Sequence, residues 1–282
     1  MKFKSWILRS LSGIVYIGII IGFIFWGPIP FSILAALLGL AAVLEFEKIC
    51  EGISETSLPT LFLDITGVVF LAFSWLWYPL LGWVCVYLCR IILELYVKNE
   101  KPIRCLAISL MTQIYIGLPL ACMTMMGKYV GLHFIFAIFL LIWINDTGAF
   151  VVGSLLGRHR LFERISPKKS WEGFFGGLGF NLIAGWLFAI GGGGYFWDVK
   201  WNVITWLIFA LVVTAFSTWG DLVESLIKRS LNIKDSGNII PGHGGILDRI
   251  DSLLLVMPAT FLYLIIYNVL CPDNDFFYLL YP

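Results

Sequence analysis

The sequence predicts an all-α, polytopic integral membrane protein with about nine transmembrane helices and a cytoplasmic N-terminus. Three observations carry this expectation. Hydrophobic residues make up 60% of the 282 residues and charged residues only 13%, against about 25% charged in an ordinary soluble domain. Apolar runs of about 16–24 residues recur along the chain, long enough to cross a hydrocarbon core of about 30 Å. Lys and Arg gather in alternate connections, as the positive-inside bias requires.

The runs lie at 11–27, 29–44, 60–77, 79–97, 104–126, 131–153, 172–192, 202–227 and 247–270. The first follows MKFKSWILRS and resembles a signal peptide. It is long, however, and no small-x-small cleavage site follows, so an uncleaved helix is expected. Pro28, Pro79 and Pro119 punctuate the next four, and the tetraglycine at 191–194 closes the seventh. With the N-terminus inside, the inner segments collect Lys2, Lys4 and Arg9, the bases at 98–104, those at 158–169 and those at 228–249. Only Lys128 and Lys200 fall outside. The loop at 154–172 and the stretch at 225–252 are then cytoplasmic, and the C-terminus is external.

Net charge is +1, so overall charge selects no partner, and no nucleic acid is expected. The six cysteines are scattered, with no CxxC pair, and read as small hydrophobes in apolar runs. No internal repeat is evident. Beyond Glu45, Glu47, Asp64 and Glu94, the first five runs carry little polar chemistry. Residues 1–130 therefore read as mainly structural and 131–282 as the catalytic region.

Two short segments concentrate the acids. GDLVES holds Asp221, Glu224 and Ser225, and LDRIDS holds Asp248, Asp251 and Ser252. Positions i, i+3 and i+4 share a helix face, so each segment offers two carboxylates and a hydroxyl on one side. Such oxygens suit magnesium, which keeps water or substrate phosphate in the rest of its shell. Asp221, Asp248 and Asp251 are the candidate ligands. Capping, or salt bridges to Arg229 and Arg249, is the plainer alternative.

Bases flank these acids. Lys228, Arg229, Lys234 and Arg249 match phosphate oxygens by point charge or forked hydrogen bonds. Topology alone also calls for bases here, and Lys234–Asp235 reads equally as a surface ion pair. PGHGG at 241–245 precedes the last run. Gly244 and Gly245 allow close approach of a ligand to backbone amides. His243 either contacts phosphate or caps the turn. His133 and His159 read as structural.

A second basic patch is GRHRLFERISPKKSWEG, 157–173. Ser166–Pro167 reads as a helix start, N-cap then first helical position. Lys168 and Lys169 would then oppose the helix dipole unless an anion binds. An orientation signal on a solvated loop is the alternative. Asp146, in WINDTGAF, is an acid inside the sixth run and so a functional candidate, or a polar tie to a neighbouring helix.

These residues resemble a known family. Ser225, Lys228–Arg229, Lys234–Asp235, Gly237, Pro241, His243–Gly244–Gly245, Asp248–Arg249 and Asp251 are similar to the signature of the phosphatidate cytidylyltransferases. Asp146–Thr147–Gly148–Ala149 and Ser166 to Gly173 also resemble the family, with Ser170 where Thr is common. The resemblance covers about residues 140–255; the first half resembles the family in hydropathy only. It implies CTP and phosphatidate as substrates, with CDP-diacylglycerol and pyrophosphate as products. It also implies magnesium, leaving any second cation open, and a homodimer in a bacterial inner membrane with its site facing the cytoplasm. The family's metal aspartates match Asp221 and Asp248. By the same resemblance Asp221, Asp248, Lys228, Arg229 and Arg249 are catalytic. Lys168, Lys169, Ser225, Lys234, His243, Gly244, Gly245 and Asp146 are substrate-binding. Two rival readings are weaker. A secondary transporter needs no dense cytoplasmic phosphate patch, and the Asp-Gly-x-x-Ala-Arg core of CDP-alcohol phosphotransferases is absent.

Overall fold

The computed structural model describes residues 2–53, 57–191, 197–237 and 244–271, with residues 2–11 by backbone alone. In order come α1 (Lys2–Trp26), α2 (Pro28–Cys50), α3 (Leu58–Ala72), α4 (Trp77–Leu93), α5 (Pro102–Met111) and α6 (Leu118–Tyr129). Then follow α7 (Leu132–Leu156), α8 (Trp171–Gly191), α9 (Val203–Ser230) and α10 (Leu247–Leu270). A π-helical turn, Thr112–Gly117, joins α5 to α6. A hairpin of β1 (Arg160–Phe162) and β2 (Ser166–Ser170) precedes α8.

Every expected apolar run carries a helix. Proline sits in the first turn of α2, α3 and α5, where its missing N–H costs nothing. Inside the fifth run, Pro119 removes a donor and crowds the preceding turn; the wider π turn directly before it accommodates that. Among the described residues, six helical stretches are long and apolar enough to cross a membrane: α2, Pro102–Tyr129, α7, α8, α9 and α10. Ser12–Trp26, α3 and α4 are shorter apolar helices. Large apolar side chains such as Leu58, Tyr78, Phe150 and Leu155 stand exposed, as helices facing lipid require. The protein is an all-α integral membrane protein.

The chain divides into two compact units. The first comprises Met1–Met125 and Lys228–Ile250, the second Met126–Ile227 and Asp251–Pro282. The first unit buries Phe31, Phe46, Val68, Ile116, Leu120 and Met123. It also buries a charge network. Arg90 Nε donates to Asp64 Oδ2 at 3.3 Å and its Nη1 to Glu94 Oε2 at 2.7 Å. Ser109 Oγ donates to the other Asp64 oxygen. Gln113 Nε2 donates to the Asp64 carbonyl at 3.0 Å. An apolar surround offers these groups no water, so they pair with one another.

The second unit has an aromatic core. Trp201 lies edge-on to Phe134, Trp206, Phe209 and Tyr263, with ring centroids 5.1–5.6 Å apart, a favoured geometry for ring quadrupoles. Helices α7 and α8 approach closely because α8 presents glycines. A Cβ on Gly177 would stand 2.4 Å from Asn145 Oδ1, so only glycine fits there. At the far end of α7, Asp198 accepts from the His133 backbone N–H at 3.1 Å and lies 3.1 Å from its Nδ1.

One sequence expectation is corrected. Ser166–Pro167 does not start a helix; Ser166–Ser170 is a strand, antiparallel to β1, with an irregularity between the Arg160–Ser170 and Phe162–Ser166 pairs. Helix α8 starts at Trp171, and its cap is Ser170, whose Oγ accepts the Gly173 N–H at 3.1 Å. Proline tolerates extended backbone on a two-stranded edge. Lys168 and Lys169 therefore sit in the strand ahead of α8, not in its first turn, and the helix-dipole argument for them fails. Glu172 closes the hairpin instead. It accepts from the Arg158 and His159 backbone amides at 3.1 and 3.2 Å and pairs with His159 Nδ1 at 2.6 Å.

Candidate active site

In the second unit, the hairpin, α7, α8 and the Asp221 turn of α9 enclose a cavity of about 470 Å³. That volume suits a small molecule or a polar headgroup. Its polar wall holds Asp146, Lys168, Lys169 and Asp221, and its apolar wall includes Phe150 and Phe174. Strand alternation explains the lysines. Ser170 is buried as the cap, Lys169 is half-buried and Lys168 exposed, so consecutive bases leave the strand differently yet both reach the cavity wall.

Lys169 Nζ lies 2.6 Å from Asp221 Oδ2 and donates to the Thr218 carbonyl at 3.4 Å. Ser225 Oγ, one helical turn on, donates to Asp221 Oδ1 at 3.3 Å. Asp251 has Asp221, Asp146 and Lys169 as its charged neighbours, and its Oδ1 accepts from the Ser252 N–H at 2.6 Å. The carboxylates of Asp146, Asp221 and Asp251 thus gather around Lys169 in this unit. Glu224, placed by sequence on the same face as Asp221, is buried and does not line the cavity.

The signature loop lies in the first unit. Lys228 Nζ donates to Asp248 Oδ1 at 2.7 Å. The backbone amides of Ser236 and Gly245 donate to Asp248 Oδ2 at 3.0 and 2.9 Å. Gly244 has φ +82°, a conformation that a side chain rarely adopts. Arg229 Nη1 donates to the Ile233 carbonyl at 3.1 Å, just beyond the end of α9. Lys234, Asp235 and Arg249 are exposed. His243 lies outside the described residues.

The structure brings Asp146, Lys168, Lys169 and Asp221, which sequence flagged in separate segments, to one cavity, and joins Lys228 to Asp248 beside Gly244 and Gly245. Sequence reasoning missed Asn145, a buried amide on the cavity wall, although Asn145 adjoins the flagged Asp146. It also missed the partners of Glu45, described below.

A scan against family models matches the cytidylyltransferase family over residues 7–267. The chain belongs to the cytidylyltransferase family. Two relatives agree over nearly their whole length. A phosphatidate cytidylyltransferase of Staphylococcus haemolyticus is 33% identical over 259 residues, covering 89% of this chain and 96% of the relative. One from Staphylococcus aureus (strain COL) is 35% identical over 260 residues with the same coverage. One from Staphylococcus saprophyticus reaches 42% over 163 residues, 57% of this chain and 60% of the relative. The family match begins at residue 7, so the first half, similar by sequence only in hydropathy, belongs to the cytidylyltransferase frame as well.

The donor set bears on a metal. Among the described residues, no three His, Cys, Asp or Glu side chains converge into a ready-made cage. Magnesium needs no such cage: one or two carboxylates suffice when water and substrate phosphate complete the octahedron. Asp221 and its acidic neighbours Asp146 and Asp251 offer hard oxygens of that kind. The groups present fit magnesium in donor chemistry.

Proposed function

We infer that the protein transfers the cytidylyl group of CTP to phosphatidate, giving CDP-diacylglycerol and pyrophosphate in phospholipid synthesis. The observation that carries the reading is the cavity of the second unit, where Lys168, Lys169, Asp146 and Asp221 meet an apolar wall. Its chemistry suits a molecule with a phosphate end and a greasy body. A phosphatidate oxygen attacks the α-phosphorus of CTP; that P–O bond forms, the α–β bridge breaks, and pyrophosphate carries away the electron pair. A phosphate monoester with second pKa near 6 is already largely ionised at neutral pH. No strong general base is required, and the task is alignment and charge neutralisation.

The proposed roles combine the cavity lining with the sequence signature. Lys168 and Lys169 bind phosphate oxygens. Asp221 holds Lys169 in place, and Ser225 orients Asp221. Lys228, Arg229, Lys234 and Arg249 bind the departing pyrophosphate or its parent triphosphate, with the Gly244 and Gly245 amides and His243 assigned there by the sequence signature. Asp221, Asp248 and Asp251 are the proposed magnesium ligands. Magnesium, when bound, neutralises charge on the reacting phosphates; the identity of any second cation is open.

The finer topology belongs to the same reading. All nine apolar runs cross a bacterial inner membrane, with the N-terminus and the site on the cytoplasmic side, where CTP is. The sorting of Lys and Arg supports this orientation. The working unit is proposed to be a homodimer, on family resemblance. Incubation of the purified protein with labelled CTP and phosphatidate tests the activity. Equal yields of CDP-diacylglycerol and pyrophosphate are expected. CMP release from added CDP-diacylglycerol, dependent on an added alcohol, would point to the phosphotransferase rival instead.

A further inference from the structure

Glu45 sits on α2, among helices whose sequence promised only scaffolding. Its residue exposure is 4%, yet its carboxylate meets no cation among the contacts that fix it. It accepts three hydrogen bonds from residues about 200 positions away. Ser236 Oγ donates to Oε2 at 3.1 Å. The Ile246 amide donates to Oε1 and the Leu247 amide to Oε2, both at 2.9 Å. Ile246 and Leu247 open α10, whose first amides have no partner within the helix. An anion there satisfies them and complements the helix dipole. Helix starts are normally capped by a nearby residue; here the cap comes from another helix.

The loop is built tightly around this carboxylate. A Cβ on Gly245 would lie 2.3 Å from Glu45 Oε2 and 2.2 Å from Ser236 Oγ, and one on Gly237 would lie 2.6 Å from Glu45 Oε1. Ser236 and Gly245, the residues that press on Glu45, are those whose backbone amides hold Asp248 Oδ2. The next residue along from Leu247 is Asp248 itself. Glu45 thus holds the Ser236 side chain and the start of the helix that bears Asp248 and packs closely on Gly245, while Lys228 holds Asp248 Oδ1.

We propose that Glu45 is a positioning residue for cytidylyl transfer, which anchors the signature loop and so sets the orientation of Asp248. This rests on the reading that Asp248 works in the reaction. A charged group buried in a membrane protein is costly, and an apolar side chain here would leave the Ile246 and Leu247 amides without this acceptor. What the carboxylate adds is simultaneous acceptance from three donors in one loop. Glutamine cannot replace it: one amide oxygen accepts, and the NH₂ group faces donors.

The test uses the full chain, purified in detergent, as wild type, Glu45→Gln, Glu45→Ala and Asp248→Asn. Two readouts are taken on each: amide hydrogen exchange across 244–250, and turnover over a magnesium titration. In both Glu45 variants, exchange at 246–247 is expected to rise at least about tenfold, with the rest of α2 protected as in wild type. Turnover at saturating CTP should fall about 10–100-fold, the usual loss when the support of a key group is removed, and half-saturating magnesium should rise. A variant that merely contains fewer folded molecules would lose turnover with unchanged magnesium dependence and exchange; that result overturns the proposal. So does wild-type turnover in Glu45→Gln while Asp248→Asn is inactive, which leaves the reading of Asp248 standing. Full activity in Asp248→Asn overturns that reading itself, whatever Glu45 does.

Discussion

Two clusters of charge in this protein look alike in composition and differ in completion. In the first unit, Arg90 lies between Asp64 and Glu94, all three buried, and Ser109 and Gln113 fill out the surroundings of Asp64. In the second, Lys169 meets Asp221 with side-chain exposures of 26% and 37%, beside Asp146 and an open cavity. The first cluster is closed: its donors and acceptors answer one another, and nothing further can enter. The second is open, with space beside it. Both carry charge in an apolar chain, so charge in a membrane segment is by itself an incomplete guide to function. Closure is the physical difference between the two.

The contrast can be broken by substitution, starting with the closed network. Arg90→Met should leave two buried carboxylates without their cation and cost about 3–5 kcal/mol of stability. Thermal unfolding in detergent reads that loss, while turnover per folded molecule should stay near wild type. A stable Arg90→Met protein would show that the closed network is dispensable.

Next in size is the approach of α7 to α8. Gly177→Val forces a side chain toward Asn145 and should cost about 1–3 kcal/mol, the range for overpacking, measured by the same unfolding experiment. It also tests whether the cavity wall depends on that close contact, since turnover should fall with stability.

Lys169→Met probes the open cluster from its basic side. Its ion pair with Asp221 is partly exposed and is worth at most about 1 kcal/mol of stability. Its loss from the cavity should raise KM for a phosphate-bearing substrate about tenfold or more, as expected for a charged hydrogen bond. Steady-state kinetics in both substrates will show which one it touches. The smallest effect is expected at Lys234, exposed on the loop: Lys234→Ala should change stability by under about 0.5 kcal/mol.

Much of this was legible beforehand, for identifiable reasons. Helix positions follow from long apolar runs, because hydrocarbon admits only helical backbone in such segments. Asp146, Lys168, Lys169 and Asp221 were legible as candidates because charge is sparse in so apolar a chain. The hairpin was not legible. Ser166–Pro167 carries an ordinary helix-start signal, and Ser170, four residues later, carries a competing one; only the pairing of β2 with β1 decides between them. Glu45 was visible as an acid in an apolar run, but its partners lie some 200 residues on, beyond the reach of any local pattern. Its task shows only in the folded chain, where Ser236, Ile246 and Leu247 gather around its carboxylate.

The central claim is that the open cluster performs the transfer while the closed network holds the fold. The measurement that tests it most directly is CDP-diacylglycerol formation by purified Asp221→Asn and Arg90→Met proteins, each normalised to its folded fraction. Asp221→Asn should lose about 10²–10³-fold in turnover, the scale of removing one electrostatic stabiliser of a transition state, with an unfolding temperature close to wild type. Arg90→Met should show the reverse. An active Asp221→Asn enzyme, or an Arg90→Met enzyme that is stable but inert, would contradict the account.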